Sequence, residues 1–476
     1  MPVVLGGGLS GLAAAYYLTQ RFINPVTLFE SSKKIGGWIR TESHEDKGFV
    51  FESGPRTIRP KGPAAANTLA LLEEIGLQDQ ISPIYSTHPA AKNRMVYVRR
   101  RLWNLPSDFS GIFRTTPPFS KPLISGIFHD LRAPSMKQSL DDESIYSFVK
   151  RRFGPEIAEY AISPMICGIC AGDAKEISVR FLMNDLFEKE QKFGGVIKGL
   201  IMNKLFGKKN TGNKYANTAM SSNLVKTAQS EKWSIYTLKG GMEILPKVLL
   251  STIQKEGVDV QTCKECKKIT FCDNNVLLNF NGEEFRTDYV ISSLPAHNLA
   301  KLVEDQHPTL SSQLKTIPYV DVAVVNLQFS SAGLLPTEAF GFLVPPAENL
   351  PILGVIFDSC CVNMPGNTVL TVMMGGRWFR DNFGSEPSKS MLLENALSHV
   401  RTILNIRAQP KLVRVNILRN CIPQYTVGHK KRVERIRSYI KKYKLPFSVC
   451  GAAFDGVGVN DVILSAKTEG VDEIPV

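Results

Sequence analysis

No stretch of this 476-residue chain approaches ~18 uninterrupted apolar residues, so no membrane-crossing helix is expected. Internal repeats of ~20 to 50 residues and long low-complexity tracts are also missing, which excludes a solenoid and a largely disordered chain. There is no Walker loop, no metal-binding box and no convincing catalytic triad, so phosphoryl transfer, metal catalysis and triad hydrolysis lack their residues. Nine cysteines are too few for a small-domain disulfide framework, and an odd count leaves one unpaired in a monomer. Reduced thiols are expected. The pairs Cys167 with Cys170 and Cys263 with Cys266 have no histidine at a matching spacing, and the second lies in or beside a strand, where residues three apart face opposite ways. No metal is expected. Acids are short, 44 against 57 Lys and Arg, and the resulting +13 points to an anionic partner: phospholipid, nucleic acid or an acidic substrate. The chain opens directly on a strand, so a cleavable leader is not expected and any organelle address would be internal.

What the chain does have is a phosphate cradle. Gly6, Gly7, Gly8, Leu9, Ser10 and Gly11 lie between the apolar run Val3-Val4-Leu5 and the helical run from Leu12 to Leu18. Gly6 permits the turn out of the strand, Gly8 lets backbone approach a pyrophosphate, and Gly11 lets the helix pack on the sheet. The helix N-terminus then offers free N–H groups to the phosphates. A second run, Val26 to Phe29, ends in Glu30, placed for a ribose hydroxyl or as a solvated strand end.

A chain this long buries roughly three quarters of its unfolded surface and normally divides into two or three domains. Alternating strand and helix patterns return after Leu238-Lys239-Gly240-Gly241-Met242, and β-formers crowd residues 318–378. The character differs between Pro106 and Phe128, where Phe109, Ile112, Phe113, Phe119, Leu123, Ile124, Ile127 and Phe128 are scattered around Arg114 and Lys121. Val196 to Phe206 is apolar at helical spacing, with interleaved lysines and then Lys208-Lys209. Apolar bodies with basic fringes suit a membrane surface, or else a buried helix pair with a basic loop. The first of these makes lipid, not nucleic acid, the expected anionic partner.

Near the C-terminus, Phe447 to Cys450 runs into Gly451-Ala452-Ala453 and then Gly456-Val457-Gly458-Val459-Asn460-Asp461 ahead of a helix. A strand and glycine turn returning from the far end of the chain is the layout expected where a flavin ring needs its own seat, the helix dipole favouring negative charge on the reduced ring. Asn460 and Asp461 either belong to that seat or cap the helix. No second G-x-G-x-x-G lies between a strand and a helix, so a separate nicotinamide site is not expected and the chemistry rests on the flavin.

These stretches, with Gly36-Gly37-Trp38, Gly54-Pro55-Arg56, His88 to Arg94 and Asn420-Cys421-Ile422-Pro423-Gln424-Tyr425, resemble the flavin-containing amine oxidase superfamily, and within it the branch that oxidises porphyrinogens. The resemblance covers nearly the whole chain. It implies an α/β protein: a Rossmann-like FAD-binding domain (residues 1–87, 223–298 and 429–476), a mixed-sheet substrate domain (88–105 and 299–428) and an α-helical membrane-binding domain (106–222). It further implies noncovalent FAD, oxidation of protoporphyrinogen IX to protoporphyrin IX with molecular oxygen as acceptor and hydrogen peroxide as by-product, and the penultimate step of haem synthesis. A homodimer, peripheral on the intermembrane-space side of the mitochondrial inner membrane, is implied as well.

By matching motifs, FAD contacts fall on Gly6 to Gly11, Glu30, Ser31, Trp38, Gly54, Pro55, Arg56, Thr57, Cys266 as a strand contact near the adenine, Ala452, Val457, Gly458 and Val459. Substrate contacts fall on Arg94 and Gly168, with Phe340, Gly341, Leu343, Ile356 and Met373 lining the pocket. A nearly apolar tetrapyrrole with two propionates needs flat apolar walls and a cation at the rim, and Arg94 is the candidate cation or else a surface arginine. Arg56 is the candidate catalytic residue: it either stabilises developing charge or braces the fold. Cys170 replaces the family's usual aromatic before Ala171-Gly172-Asp173, and Cys167 stands where an arginine is common, which leaves that wall's shape open. An amine or polyene oxidase, or a flavin-bound scaffold without turnover, are the competing readings.

Overall fold

The computed structural model describes residues 2–21, 25–44, 48–108, 110–134, 140–206, 222–273, 275–362 and 364–474. Phe109, Lys208 and Lys209 of the apolar basic segments lie outside these.

Strand Pro2–Leu5 lies at the centre of a five-stranded parallel sheet, with Tyr289–Ser292 and then Phe447–Val449 on one side and Thr27–Phe29 and then Asp259–Gln261 on the other. The strands come from both ends and the middle of the chain, so the sheet closes only when distant segments meet. Its strands are apolar on both faces because both faces are covered. Val4 and Leu28 pack with Leu12, Leu18 and Leu249 on one side, and Val3, Leu5 and Phe447 with Leu299, Leu310 and Ile436 on the other. Helices Ala296–Val303 and Pro308–Lys315 therefore share this sheet's core, although the expected division at residue 299 assigns most of them to the substrate region.

A second sheet has seven strands in the order Leu412–Pro423, Tyr319–Phe329, Thr368–Gly376, Ile352–Phe357, Gly341–Leu343, Arg94–Val98 and Arg101–Asn104. It is mixed, since Gly341–Leu343 runs parallel to Arg94–Val98 while the other pairs are antiparallel. Side chains alternate between its faces. Ala323, Val325, Phe342, Val355 and Val372 lie under Leu392, Ala396 and Val400 of helix Lys389–Leu404. Val322, Val324 and Met373 face Cys167 and Ala171.

Those two residues belong to a helical region between the sheets in sequence, whose core joins Ile145, Phe148, Ile166, Phe187 and Val196. Arg152 is fully buried there, its Nε 2.6 Å from Asp130 Oδ1. Asp130 also accepts from the backbone N–H groups of Val196 (3.2 Å) and Ile197 (2.8 Å), so a distant acid caps helix Val196–Phe206. Among the apolar residues between Pro106 and Phe128, Phe119 turns inward while Phe113 and Phe128 stay exposed. Asp130→Ala removes the nearest partner of the buried Arg152 charge, leaving Glu190 at 3.8 Å, and should cost about 3 kcal/mol. Thermal unfolding checks the loss, and hydrogen exchange at the Val196 and Ile197 amides should accelerate; wild-type protection there would remove the capping role.

Candidate functional site

The first glycine turn is built as a backbone surface without side chains. A Cβ on Gly11 would lie 1.8 Å from the Gly6 carbonyl oxygen, so only glycine lets the helix start against the turn. Gly8 is half-exposed and faces Gly37 Cα across bare space, 3.9 Å from where its own Cβ would be. Glu30 stands at the mouth of this cleft, its Oε2 accepting from Gly7 N–H at 2.7 Å and its Oε1 from Ser32 N–H at 2.8 Å and Ser31 Oγ at 3.3 Å. An open, glycine-lined cleft with an acid fixed at its edge fits a dinucleotide's pyrophosphate and ribose. Trp38 is 44 % exposed beside it.

The other expected cofactor residues converge on the same cleft. A Cβ on Gly54 would meet the Trp38 carbonyl oxygen at 2.2 Å, which seats the turn of Gly54, Pro55, Arg56 and Thr57 on Trp38. Gly451 backs onto Ser10, and Asn460 Nδ2 donates to the Arg59 carbonyl at 2.9 Å. Asp461 caps its helix by accepting from Gly458 N–H at 3.3 Å, so the two candidate capping residues have different partners. Val457, Gly458 and Val459 are half-exposed; Val457 packs against Ile166 and Cys170 of the helical region, and Val459 against the core of the first sheet. Ala452 is half-buried on the same turn. Cys266 is not in a strand: it lies in the loop before Lys268–Phe271, because Cys263 adopts φ 57° and Lys264 N–H turns to the Glu30 carbonyl. That loop still runs beside Glu30. Burial pushes the Cys266 thiol up to about 11.

The expected substrate residues meet on the second sheet. Gly341 pairs in register with Arg94 on one side and with Ile356 on the other, and Phe340 N–H donates to the Asn93 carbonyl at 3.3 Å. Leu343, Ile356 and Met373 are half-exposed on the face turned away from helix Lys389–Leu404. Gly168 closes on this face, since a Cβ there would lie 2.9 Å from Leu343 Cδ2. Arg94 is exposed at the strand's start, and partial desolvation together with the Arg59 guanidinium moves it below its ordinary value. Cys167 and Cys170 are buried in the adjoining helix, and burial pushes the Cys170 thiol up to about 12. All nine cysteines are free thiols.

The two groups meet through Arg56. Its Nη1 lies 2.9 Å from Asp358 Oδ1 in a buried pair, and Asp358 Oδ2 accepts from Thr371 Oγ1 at 2.6 Å. Asn326 Nδ2 donates to Thr371 Oγ1 at 2.8 Å and to the Glu52 carbonyl at 3.1 Å. Arg56 thus ties the turn of Gly54 to Thr57 to the second sheet, the bracing one of its two candidate roles. Asp358, Thr371 and Asn326 were missed by the sequence reading: Thr371 and Asn326 sit in strands that hold other polar residues as well, and Asp358 follows its strand, so no pattern singles them out.

Glu52 lies next to this network, accepting from Met242 N–H at 2.7 Å and from Thr41 Oγ1 at 2.9 Å. Burial outweighs these donors and pushes its carboxyl up to about 7.

A family model described as flavin containing amine oxidoreductase matches residues 9–471. The chain is 39 % identical to a protoporphyrinogen oxidase of Bos taurus, with 98 % of this chain and 96 % of the relative covered. It is 37 % identical to a protoporphyrinogen oxidase of Homo sapiens, covering 98 % of this chain and 97 % of that one. A solved protein of Exiguobacterium sp. 255-15 superposes with a TM-score of 0.78 at 24 % identity, over 98 % of this chain and 97 % of the other.

The native carboxyl of Glu52 titrates above the ordinary glutamate value of ~4.3, so its contribution to stability is present at low pH and lost as pH rises through about 7. Denaturant unfolding at pH 6 and pH 8.5 should show Glu52→Gln losing less stability than wild type over that interval; equal losses would place the titration elsewhere.

Proposed function

The chain belongs to the flavin containing amine oxidoreductases and is an FAD-dependent enzyme, and from that premise we propose that it oxidises protoporphyrinogen IX to protoporphyrin IX with oxygen as acceptor and hydrogen peroxide as by-product. The observation that carries this reading is the apolar face of Gly341, Leu343, Ile356 and Met373, walled by Gly168 and bordered by Arg94, on a sheet tied by Asp358 to the turn of Arg56. A flat, largely apolar macrocycle fits such a wall, and Arg94 supplies a cation for a propionate. Bound FAD supplies the hydride acceptor for each two-electron step. Gly6 to Gly11, Glu30, Ser31 and Trp38 would hold its dinucleotide end, Gly54 to Thr57, Ala452 and Val457 to Val459 would hold its ring end, and the Cys266 loop would lie near the adenine. The Arg56–Asp358 pair keeps that ring end at a fixed distance from the apolar face.

Among the described residues, seven exposed large apolar side chains lie in the helical region, and six of them, Phe113, Phe128, Leu131, Leu200, Ile201 and Leu205, fall on or before helices Ser125–Arg132 and Val196–Phe206, which pack together; Leu182 is the seventh. No helix among the described residues is long and apolar enough to cross a membrane. Apolar side chains grouped this way beside Lys198, Lys204 and Arg132 support attachment to an anionic lipid surface. We extend this reading to a homodimer, peripheral on the intermembrane-space side of the mitochondrial inner membrane, as the resemblance implies.

Two measurements check these readings. Purified yellow protein given protoporphyrinogen IX under dim light should produce porphyrin fluorescence far above autoxidation, with matching peroxide. Flavin without turnover would favour an amine or polyene substrate or a silent scaffold. Leu200→Glu with Phe128→Glu should reduce co-sedimentation with anionic liposomes several-fold while flavin content stays constant; unchanged sedimentation would defeat the lipid-facing assignment.

A further inference from the structure

The segment Asn420 to Tyr425 enters none of the roles above, yet it ends between the two halves of the site. Strand Leu412–Pro423 leaves the sheet at Pro423, and the next two side chains take partners in different regions. Gln424 Nε2 donates to the Cys170 carbonyl at 2.9 Å. Cys170 ends helix Ser163–Cys170, which presents Gly168 to Leu343, and Ala171 breaks that helix at φ 53°. Tyr425 points the other way. Its hydroxyl donates to the Ala452 carbonyl at 2.7 Å and accepts from Gly456 N–H at 2.6 Å, while its own carbonyl accepts from Ser178 N–H at 2.8 Å.

One hydroxyl therefore closes the turn from Ala452 to Gly456. Among the described residues no other group pairs with either of these two backbone atoms. The ring is fixed as well as the oxygen: His429 stacks on it at 3.8 Å and 13°, and Phe181 meets it edge-on at 4.9 Å. With 6 % of its surface exposed, Tyr425 has no alternative position. The turn has separate anchors that keep it folded, since Gly451 N–H donates to Ser465 Oγ at 2.8 Å and Asp455 pairs with Arg437 at 2.8 Å. What depends on Tyr425 is where Gly456 delivers the half-exposed Val457, Gly458 and Val459.

We propose that Tyr425 is a positioning residue for the flavin ring, setting the aim of residues 457–459 through the Ala452 carbonyl and the Gly456 N–H, while its neighbour Gln424 separately fixes the helical wall of the substrate face. The assignment to flavin rests on the reading that FAD occupies the cleft between the glycine turns. A phenylalanine keeps the stack on His429 but can neither donate nor accept, so it leaves the buried Gly456 N–H and the half-buried Ala452 carbonyl without their partner.

The test compares Tyr425→Phe with Gln424→Leu in the full-length holoprotein. Tyr425→Phe should release FAD on the order of tenfold faster, read as recovery of free-flavin fluorescence, and should shift the visible absorption band and midpoint potential of the bound flavin. Its KM for protoporphyrinogen should stay at the wild-type value. Gln424→Leu should do the reverse, raising KM several-fold with FAD release and the flavin band unchanged. Wild-type release, band and potential in Tyr425→Phe would overturn the proposal. Should that variant fail to fold, 3-fluorotyrosine at position 425 keeps the ring and alters the donor, and an unmoved flavin band would overturn it equally. The flavin readouts need no substrate, so they stand apart from the outcome of the porphyrinogen assay.

Discussion

The buried ion pair between Arg56 and Asp358 sets the relation of the flavin side to the substrate side. Arg56 lies in a turn seated on Trp38, and Asp358 directly follows strand Ile352–Phe357 of the second sheet. Removing two charges from water costs several kcal/mol per ion, and their mutual attraction repays it only with good geometry and further hydrogen bonds. Asp358 has one such bond from Thr371. Apolar residues of equal volume could hold the two bodies together about as firmly. What they would not define is the register, because apolar surfaces slide, whereas a carboxylate shared between a guanidinium and a hydroxyl accepts only one placement.

That placement propagates into the face where the substrate is proposed to lie. Thr371, which holds Asp358, stands opposite Ile356 across the strand pair, and Met373 follows two residues later on the same face. The polar network therefore ends where the apolar wall begins. Asn326 carries it one strand further and joins it to the Glu52 carbonyl, so strands Tyr319–Phe329 and Thr368–Gly376, the end of strand Ile352–Phe357 and Glu52 share one chain of hydrogen bonds. Polar residues in strands otherwise filled by Val, Leu and Phe disrupt the apolar core locally, and here each of them serves the junction.

Legibility in the sequence divides along the distance between interacting residues. The cradle of Gly6 to Gly11 and the acid Glu30 could be read because strand, turn, helix and strand are consecutive, and the structure places Glu30 against Gly7. The flanking strands of the second sheet could be read from their β-formers, but their membership in one face came from resemblance, since Arg94 and Gly341 are neighbours only through a parallel pairing across the chain. The partner of Arg56 lies 302 residues away, and no periodicity reports it. Helices Ala296–Val303 and Pro308–Lys315 show why the domain boundary is hard to place: an amphipathic pattern states that one face is buried, not which sheet buries it. The placement of Cys266 as a strand contact came from resemblance; the positive φ at Cys263 follows the end of strand Asp259–Gln261 and leaves Cys266 beside a strand, not in one.

The two halves of the site also differ in what they are made of, and this bears on how far a shared fold can identify a substrate. The cofactor cleft is mostly backbone: glycine turns, helix ends and one acid, all compatible with extensive change elsewhere in the chain. The proposed substrate face is mostly side chain, Leu343, Ile356 and Met373 on a sheet, with Gly168 and Arg94 at its borders. Exchanging those few side chains leaves the sheet, the Arg56–Asp358 register and the cradle intact while altering the shape and polarity offered to a ligand. Likeness of fold at low identity therefore carries the architecture and not the substrate. For this chain the substrate reading depends on the apolar face and its bordering arginine, together with relatives at 37–39 % identity over nearly the whole chain.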